Sequence, residues 1–138
     1  MLFVPSKFKY KKQHKGKSIN RVNSNINYFQ LKSGCVALKV TSPGRLTSIE
    51  LKTLKQTLNK ILKRRACIRI NVFPQTPITK KPLEIRMGKG KGNVNHWVFK
   101  TKPGTILVEI QTKFVLSAVK ALKLAQIRLS LNTKIIYK

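Results

Sequence analysis

Thirty of the 138 residues are Lys or Arg, and only three, Glu50, Glu84 and Glu109, are acidic. With so few carboxylates the chain cannot neutralise its cations internally. Any fold it adopts must turn nearly all of them to the surface and build its interior from apolar side chains. The formal net charge is +27. A compact state at that charge repels itself, so its surroundings are expected to supply anions. Nucleic acid is the densest such source, because Lys and Arg release the counterions condensed on its phosphates.

Hydrophobic residues make up 41% of the chain, enough for a core, which excludes a wholly disordered basic tail. The length suits one domain. No apolar run approaches the roughly 20 residues that span a bilayer. Residues 1–4 form a short apolar patch cut off by Pro5 and lysines, without the apolar run of a signal peptide or the helical stripe of a transit peptide. Mature protein is therefore expected from the first residue. Cys35 and Cys67 are far apart, with no CxxC pair, and read as partly buried thiols. Combined with His14 and His96 they match no zinc-ligand spacing, so no metal or cofactor is expected.

Residues 1–27 read as an extended basic arm. Lys7, Lys9, Lys11, Lys12, Lys15, Lys17 and Arg21 are interleaved with Phe8, Tyr10 and His14. Against RNA the lysines would take phosphates and the aromatics bases or sugars. Residues 28–138 read as one α+β domain. Alternation over 28–40 predicts two strands around Ser33-Gly34. Thr47 and Glu50 form a T-x-x-E capping box with Leu46 and Leu51 at staple spacing. Leu51, Leu54, Leu58, Ile61 and Leu62 then predict a helix over about 48–64. Ile68, Ile70 and Val72 alternate as a strand. Pro74, Pro77 and Pro82 predict a long irregular basic loop over 75–93 containing Lys80, Lys81, Arg86, Lys89 and Lys91. Trp97 and Phe99 lie on a strand, and Pro103-Gly104 predicts the turn of a hairpin returning through Ile106, Val108 and Ile110. A second helix over 113–129 would bury Phe114, Ala118, Ala121, Leu122, Ala125 and Leu129, and a short strand over 133–137 closes the chain. Two amphipathic helices on a mostly antiparallel sheet are the expected architecture.

The sharpest motif is Arg86-Met87-Gly88-Lys89-Gly90-Lys91-Gly92-Asn93. Alternate glycines let backbone approach a surface closely and adopt positive φ, while the lysines put charge in the same place. The spacing is neither that of a phosphate-binding GxxxxGK[ST] loop nor that of GxGxxG, and a strand rather than a helix follows. No Asp exists for a triad and the glutamates are scattered, so catalysis is not expected. Glu50 reads as a cap, and Glu84 and Glu109 as partners for nearby cations.

These residues resemble the large-subunit ribosomal protein L-sixteen family in its bacterial and organellar form. The matching stretches are Pro5 to Lys9 and Gln13 to Lys17, then Gly44-Arg45-Leu46-Thr47 with Glu50. They continue through Ile68 to Pro74, Pro77-Ile78-Thr79 and Lys81 to Asn93, followed by Trp97-Val98, Pro103-Gly104 and Glu109. The chain departs from the family at Gln75, usually acidic, at Gln111-Thr112, usually Asp-Gly, and in a first helix rich in Leu and Lys rather than Ala and Arg.

The resemblance implies an α/β-hammerhead-like fold and a place in the large subunit. Its partners would be large-subunit rRNA, tRNA near the peptidyl transferase centre and neighbouring ribosomal proteins, with no homo-oligomer. Arg86, Lys89 and Lys91 would lie nearest the functional RNA, with Met87, Gly88, Gly90, Gly92 and Asn93 in the close-approach loop. Lys7, Lys9, Lys11, Lys12, His14 and Lys15 would anchor the arm. Lys17, Arg21, Arg45, Arg69, Lys80 and Lys81 complete the expected RNA-binding set. Lys, Asn and Ile excess, with Lys far outnumbering Arg, points to an AT-rich genome; together with the expected absence of a presequence it makes a mitochondrial ribosome on the matrix side the expectation, with a plastid or an AT-rich bacterial cytoplasm as alternatives. The competing reading is a freestanding basic RNA- or DNA-binding chaperone-like module.

Overall fold

A computed structural model describes residues 3–16, 31–32 and 34–138. In chain order the elements are β1 (Val36–Val40), β2 (Gly44–Thr47), α1 (Ser48–Leu62), β3 (Cys67–Ile70), β4 (Thr76–Lys80), β5 (Asn93–Thr101), β6 (Ile106–Gln111), α2 (Val115–Gln126) and β7 (Thr133–Tyr137). The architecture is α+β, as expected, but the strands form two sheets rather than one. A four-stranded sheet runs β3-β6-β1-β7 and a three-stranded sheet β2-β5-β4, every pair antiparallel.

The T-x-x-E signal is realised in full at α1. Thr47 Oγ1 accepts from the Glu50 N–H (3.2 Å), and Glu50 Oε2 accepts from the Thr47 N–H (2.7 Å). Leu51, Leu54, Leu58 and Leu62 are buried along one stripe, each stabilising the fold by about 1.5–3 kcal/mol. The helix ends on Lys63 in the left-handed region, φ 47°, and Arg64 follows at φ 61°. Both helices pack on each other; α2 also covers β1 and β7, and α1 touches β2 and β5. Val36, Leu38, Val40, Val108 and Ile110 supply the sheet side of the core.

Several expectations are corrected. Segment 75–93 is not wholly irregular: Thr76–Lys80 pairs with β5 despite Pro77, which is tolerated because β4 is an edge strand. The Pro103-Gly104 turn forms, with Gly104 at φ 91° and the Thr105 N–H donating to the Lys102 carbonyl. It makes no hairpin, because β5 belongs to the three-stranded sheet while β6 joins the four-stranded sheet, pairing with β1 and β3. The Gly104 N–H instead docks on the Val40 carbonyl at 2.7 Å. Strand β2 was not foreseen, because four residues between a turn and a cap show no period. Phe114 is exposed rather than core-facing; it is the N-cap of α2, and its non-helical backbone (φ −101°, ψ 77°) takes it off the buried stripe.

Cys35 and Cys67 are free and exposed, not partly buried. Both lie at one end of the larger sheet. Cys67 faces Gln111 across β3–β6, and the Cys35 N–H bonds the Ile110 carbonyl on the other side of β6. Two strand spacings, roughly 9–10 Å, exceed the ~7 Å limit for a disulfide. Of the first of the two strands expected over 28–40, residues 28–30 lie outside the described residues and residues 31–32 are not in a strand; β1 is the second.

Candidate nucleic-acid interface

Strand β5 is the scaffold of the site. Antiparallel pairing sets Pro77 opposite Trp97 on one side and Lys100 opposite Arg45 on the other. The N-terminal segment lies against this sheet. Phe3 is buried in the core cluster, and the Phe8 ring meets Trp97 at 5.2 Å and 50°. Phe8 is therefore an anchor onto the protein rather than a base-stacking group. Tyr10 remains exposed, with the Lys9 ammonium 5.6 Å from its ring centre.

Four hydrogen bonds then knit residues 12–16 and the glycine-rich loop to the scaffold. Arg45 Nη2 donates to the Gly16 carbonyl at 2.7 Å. Lys12 Nζ donates to the Lys91 carbonyl at 2.9 Å, and Lys91 Nζ donates back to the Gln13 carbonyl. Lys81 Nζ closes the loop on the Gly88 carbonyl. Lys7, Lys9, Lys11, Lys12, Lys15, Lys80, Lys89, Lys91, Arg86 and His14 are exposed around these bonds.

The glycines of the loop serve two purposes. Gly88, Lys89 and Gly90 are consecutive left-handed residues, with φ of 98°, 51° and 89°. A Cβ on Gly88 or Gly90 would meet nothing within 4 Å, so these positions need glycine for backbone conformation. A Cβ on Gly92 would stand 2.6 Å from the Lys80 carbonyl oxygen, so this position needs the space. The loop tip projects outward, and Leu83 and Met87 are 97% and 99% exposed.

The electrostatics of this face are one-sided. Arg45 and Lys100 are directly opposed like charges, an unfavourable cross-strand pair unless an anion lies beside them. The only carboxylate in the loop is Glu84, itself exposed. Exposed ammonium groups so placed suit a phosphate backbone, where each contact releases counterion. Among the described residues no group of three or more His, Cys, Asp or Glu could hold a metal ion, and no helix is long and apolar enough to cross a membrane.

Not every expected residue joins this face. Arg69 lies on β3, in the other sheet, opposite Glu109. Glu109 is buried and accepts from Asn71 Nδ2 (2.7 Å) and the Gly34 N–H (3.2 Å). Lys17 and Arg21 lie outside the described residues. Sequence reasoning missed Lys100 and the anchoring role of Trp97, since both depend on partners far along the chain.

Comparison with known proteins bears on the same stretches. The family model described as ribosomal protein L16p/L10e matches residues 5–136. A "Large ribosomal subunit protein uL16" of Blochmanniella pennsylvanica is 44% identical over 137 residues, covering 99% of this chain and 98% of its own length. The protein of that name from Wigglesworthia glossinidia brevipalpis is 43% identical over 138 residues, with the same coverage. That of Cereibacter sphaeroides is 37% identical over 137 residues, again at 99% and 98%.

Proposed function

The chain belongs to the ribosomal protein L16p/L10e family, and on that premise we propose that it is a structural, non-catalytic constituent of the large ribosomal subunit. Its partners are rRNA and neighbouring ribosomal proteins. The observation that carries the mode of action is the pair of bonds from Lys12 Nζ to the Lys91 carbonyl and from Lys91 Nζ to the Gln13 carbonyl, which fastens residues 12–13 to the glycine-rich loop. That junction makes one cationic face out of two segments about eighty residues apart.

In this reading residues 1–27 act as a basic arm on a single domain over 28–138. Lys7, Lys9, Lys11, Lys12, His14, Lys15, Lys17, Arg21, Arg45, Lys80 and Lys81 hold rRNA, as does Arg69 on a separate surface. Arg86, Lys89 and Lys91, with Met87, Gly88, Gly90, Gly92 and Asn93, reach toward the region near the peptidyl transferase centre where tRNA settles. The Lys, Asn and Ile excess supports a mitochondrial ribosome; the relatives above are bacterial, and a bacterial cytoplasm is compatible with them.

Sucrose gradients at high salt test the assignment. An integral protein stays in the large-subunit peak, whereas a freestanding binder with six phosphate contacts loses about a thousandfold in affinity between roughly 50 and 200 mM salt. Recovery in the soluble fraction alone would sink the ribosomal reading. Lys89→Ala with Lys91→Ala tests the loop. The fold is expected to persist while translation or late subunit assembly is impaired; normal assembly and translation would remove the loop from the mechanism.

A further inference from the structure

The two helices present unlike faces to solvent. Beyond Ile49 in its first turn, the outward face of α1 is polar: Lys52, Gln56, Asn59 and Lys60 are all exposed. The outward face of α2 is mixed. Leu116, Leu124 and Ile127 are 80%, 52% and 81% exposed, and Lys120 and Lys123 are exposed between them. At 3.6 residues per turn these five positions lie on one stripe opposite the buried Ala118, Ala121, Leu122 and Ala125. A single exposed Leu is ordinary; three exposed apolar side chains sharing one helix face with two ammonium groups, over three turns, mark an interaction surface.

We propose that this stripe docks an acidic amphipathic segment of another large-subunit protein, an inference that rests on the ribosomal reading above. Charge and polarity select that occupant. Phosphates would suit Lys120 and Lys123 but offer nothing to Leu116, Leu124 and Ile127, so RNA satisfies only part of the stripe. A second copy of this chain brings +27 and three carboxylates. Of these, Glu50 is held by Thr47 and Ser130 and Glu109 is buried, leaving Glu84 as the one exposed glutamate, so a second copy offers one side-chain anion for two ammonium groups. A segment with apolar residues at i, i+4 and i+7 flanked by Asp or Glu meets both demands, burying the apolar stripe and pairing the two ammonium groups at its rim.

Carbodiimide coupling in salt-washed large subunits, read by peptide mass spectrometry, tests this directly. Lys120 or Lys123 is expected to couple to an Asp or Glu of another subunit protein. Leu116→Asp combined with Ile127→Asp should lower the yield of that product by about tenfold or more, the scale set by exposing apolar side chains of this size. Both positions face solvent, so the fold is expected to survive. A benzophenone photoprobe at Leu124 provides a second reading that leaves the other four residues intact, and is expected to reach the same protein. Photoprobe adducts with RNA alone, no protein cross-link in a peak that contains the chain, or an unchanged yield from the double variant would each overturn the docking surface alone. Absence of the chain from the large-subunit peak would overturn the ribosomal assignment and this surface with it.

Discussion

Glu50 bonds two parts of the chain at once. One carboxylate oxygen completes the cap with Thr47 and the other accepts from the Ser130 N–H at 3.2 Å, tying the start of α1 to the segment between α2 and β7. Burial acts to raise its pKa, but the hydrogen bonds from Ser130 and Thr47 outweigh burial and hold it below the ordinary glutamate value. The folded state therefore favours the ionised form. The stability it contributes is fully present above the ordinary value of about 4.3 and is lost as pH falls through the lower, folded-state value. Glu50→Ala is expected to cost about 1–2 kcal/mol in urea unfolding at neutral pH. The stability gap between the parent chain and Glu50→Gln should hold steady above pH ~5 and narrow below it. Among the glycines, Gly92→Ala should disorder the loop by collision with Lys80, whereas Gly88→Asn should be mild because Asn tolerates positive φ; limited proteolysis of the loop distinguishes them. The cap at Glu50 could be read from four consecutive residues, while its bond to Ser130 could not, because eighty residues intervene.

At the scale of elements, α1 was legible because its signals are local: a capping box, a staple and a leucine stripe all fall within seventeen residues, 46–62. Strand β4 was hidden because proline reads as a breaker, and only its place at a sheet edge makes Pro77 harmless. The Pro103-Gly104 turn was read correctly and the hairpin was not, since a turn depends on two residues and strand pairing on the whole core. The docking of the N-terminal segment depends on such a long-range pair. A double-mutant cycle on Phe8→Ala and Trp97→Ala is expected to give a coupling of about 0.5–1.5 kcal/mol. Lys11 and Lys12 already face solvent, so either single change should act by freeing the backbone and speeding tryptic cleavage after them in the isolated protein. Unchanged protection would show that the hydrogen bonds around Gly16 and Lys91 hold the segment without the rings.

For the whole molecule the governing quantity is charge. Self-repulsion at +27 predicts that the thermal midpoint of the isolated chain rises with ionic strength, and rises further with a polyanion that binds the folded state. Differential scanning fluorimetry at about 20 and 300 mM salt measures it, and a flat response would place the cations too far apart to interact. Composition and short-range pattern determined that the protein has an apolar core, two amphipathic helices, a capped α1, a left-handed glycine-rich loop and a surplus of cations over carboxylates. These follow from covalent geometry and residue chemistry over a few turns of chain. Only the tertiary structure decided that the strands divide into two sheets, that Phe8 packs on Trp97 and not on a base, that Arg69 lies on the other sheet from the β5 face, and that Lys12 and Lys91 fasten two distant segments into one face. Each of those is a contact between residues remote in sequence, and local pattern carries no information about which remote partner the packed core will bring within reach.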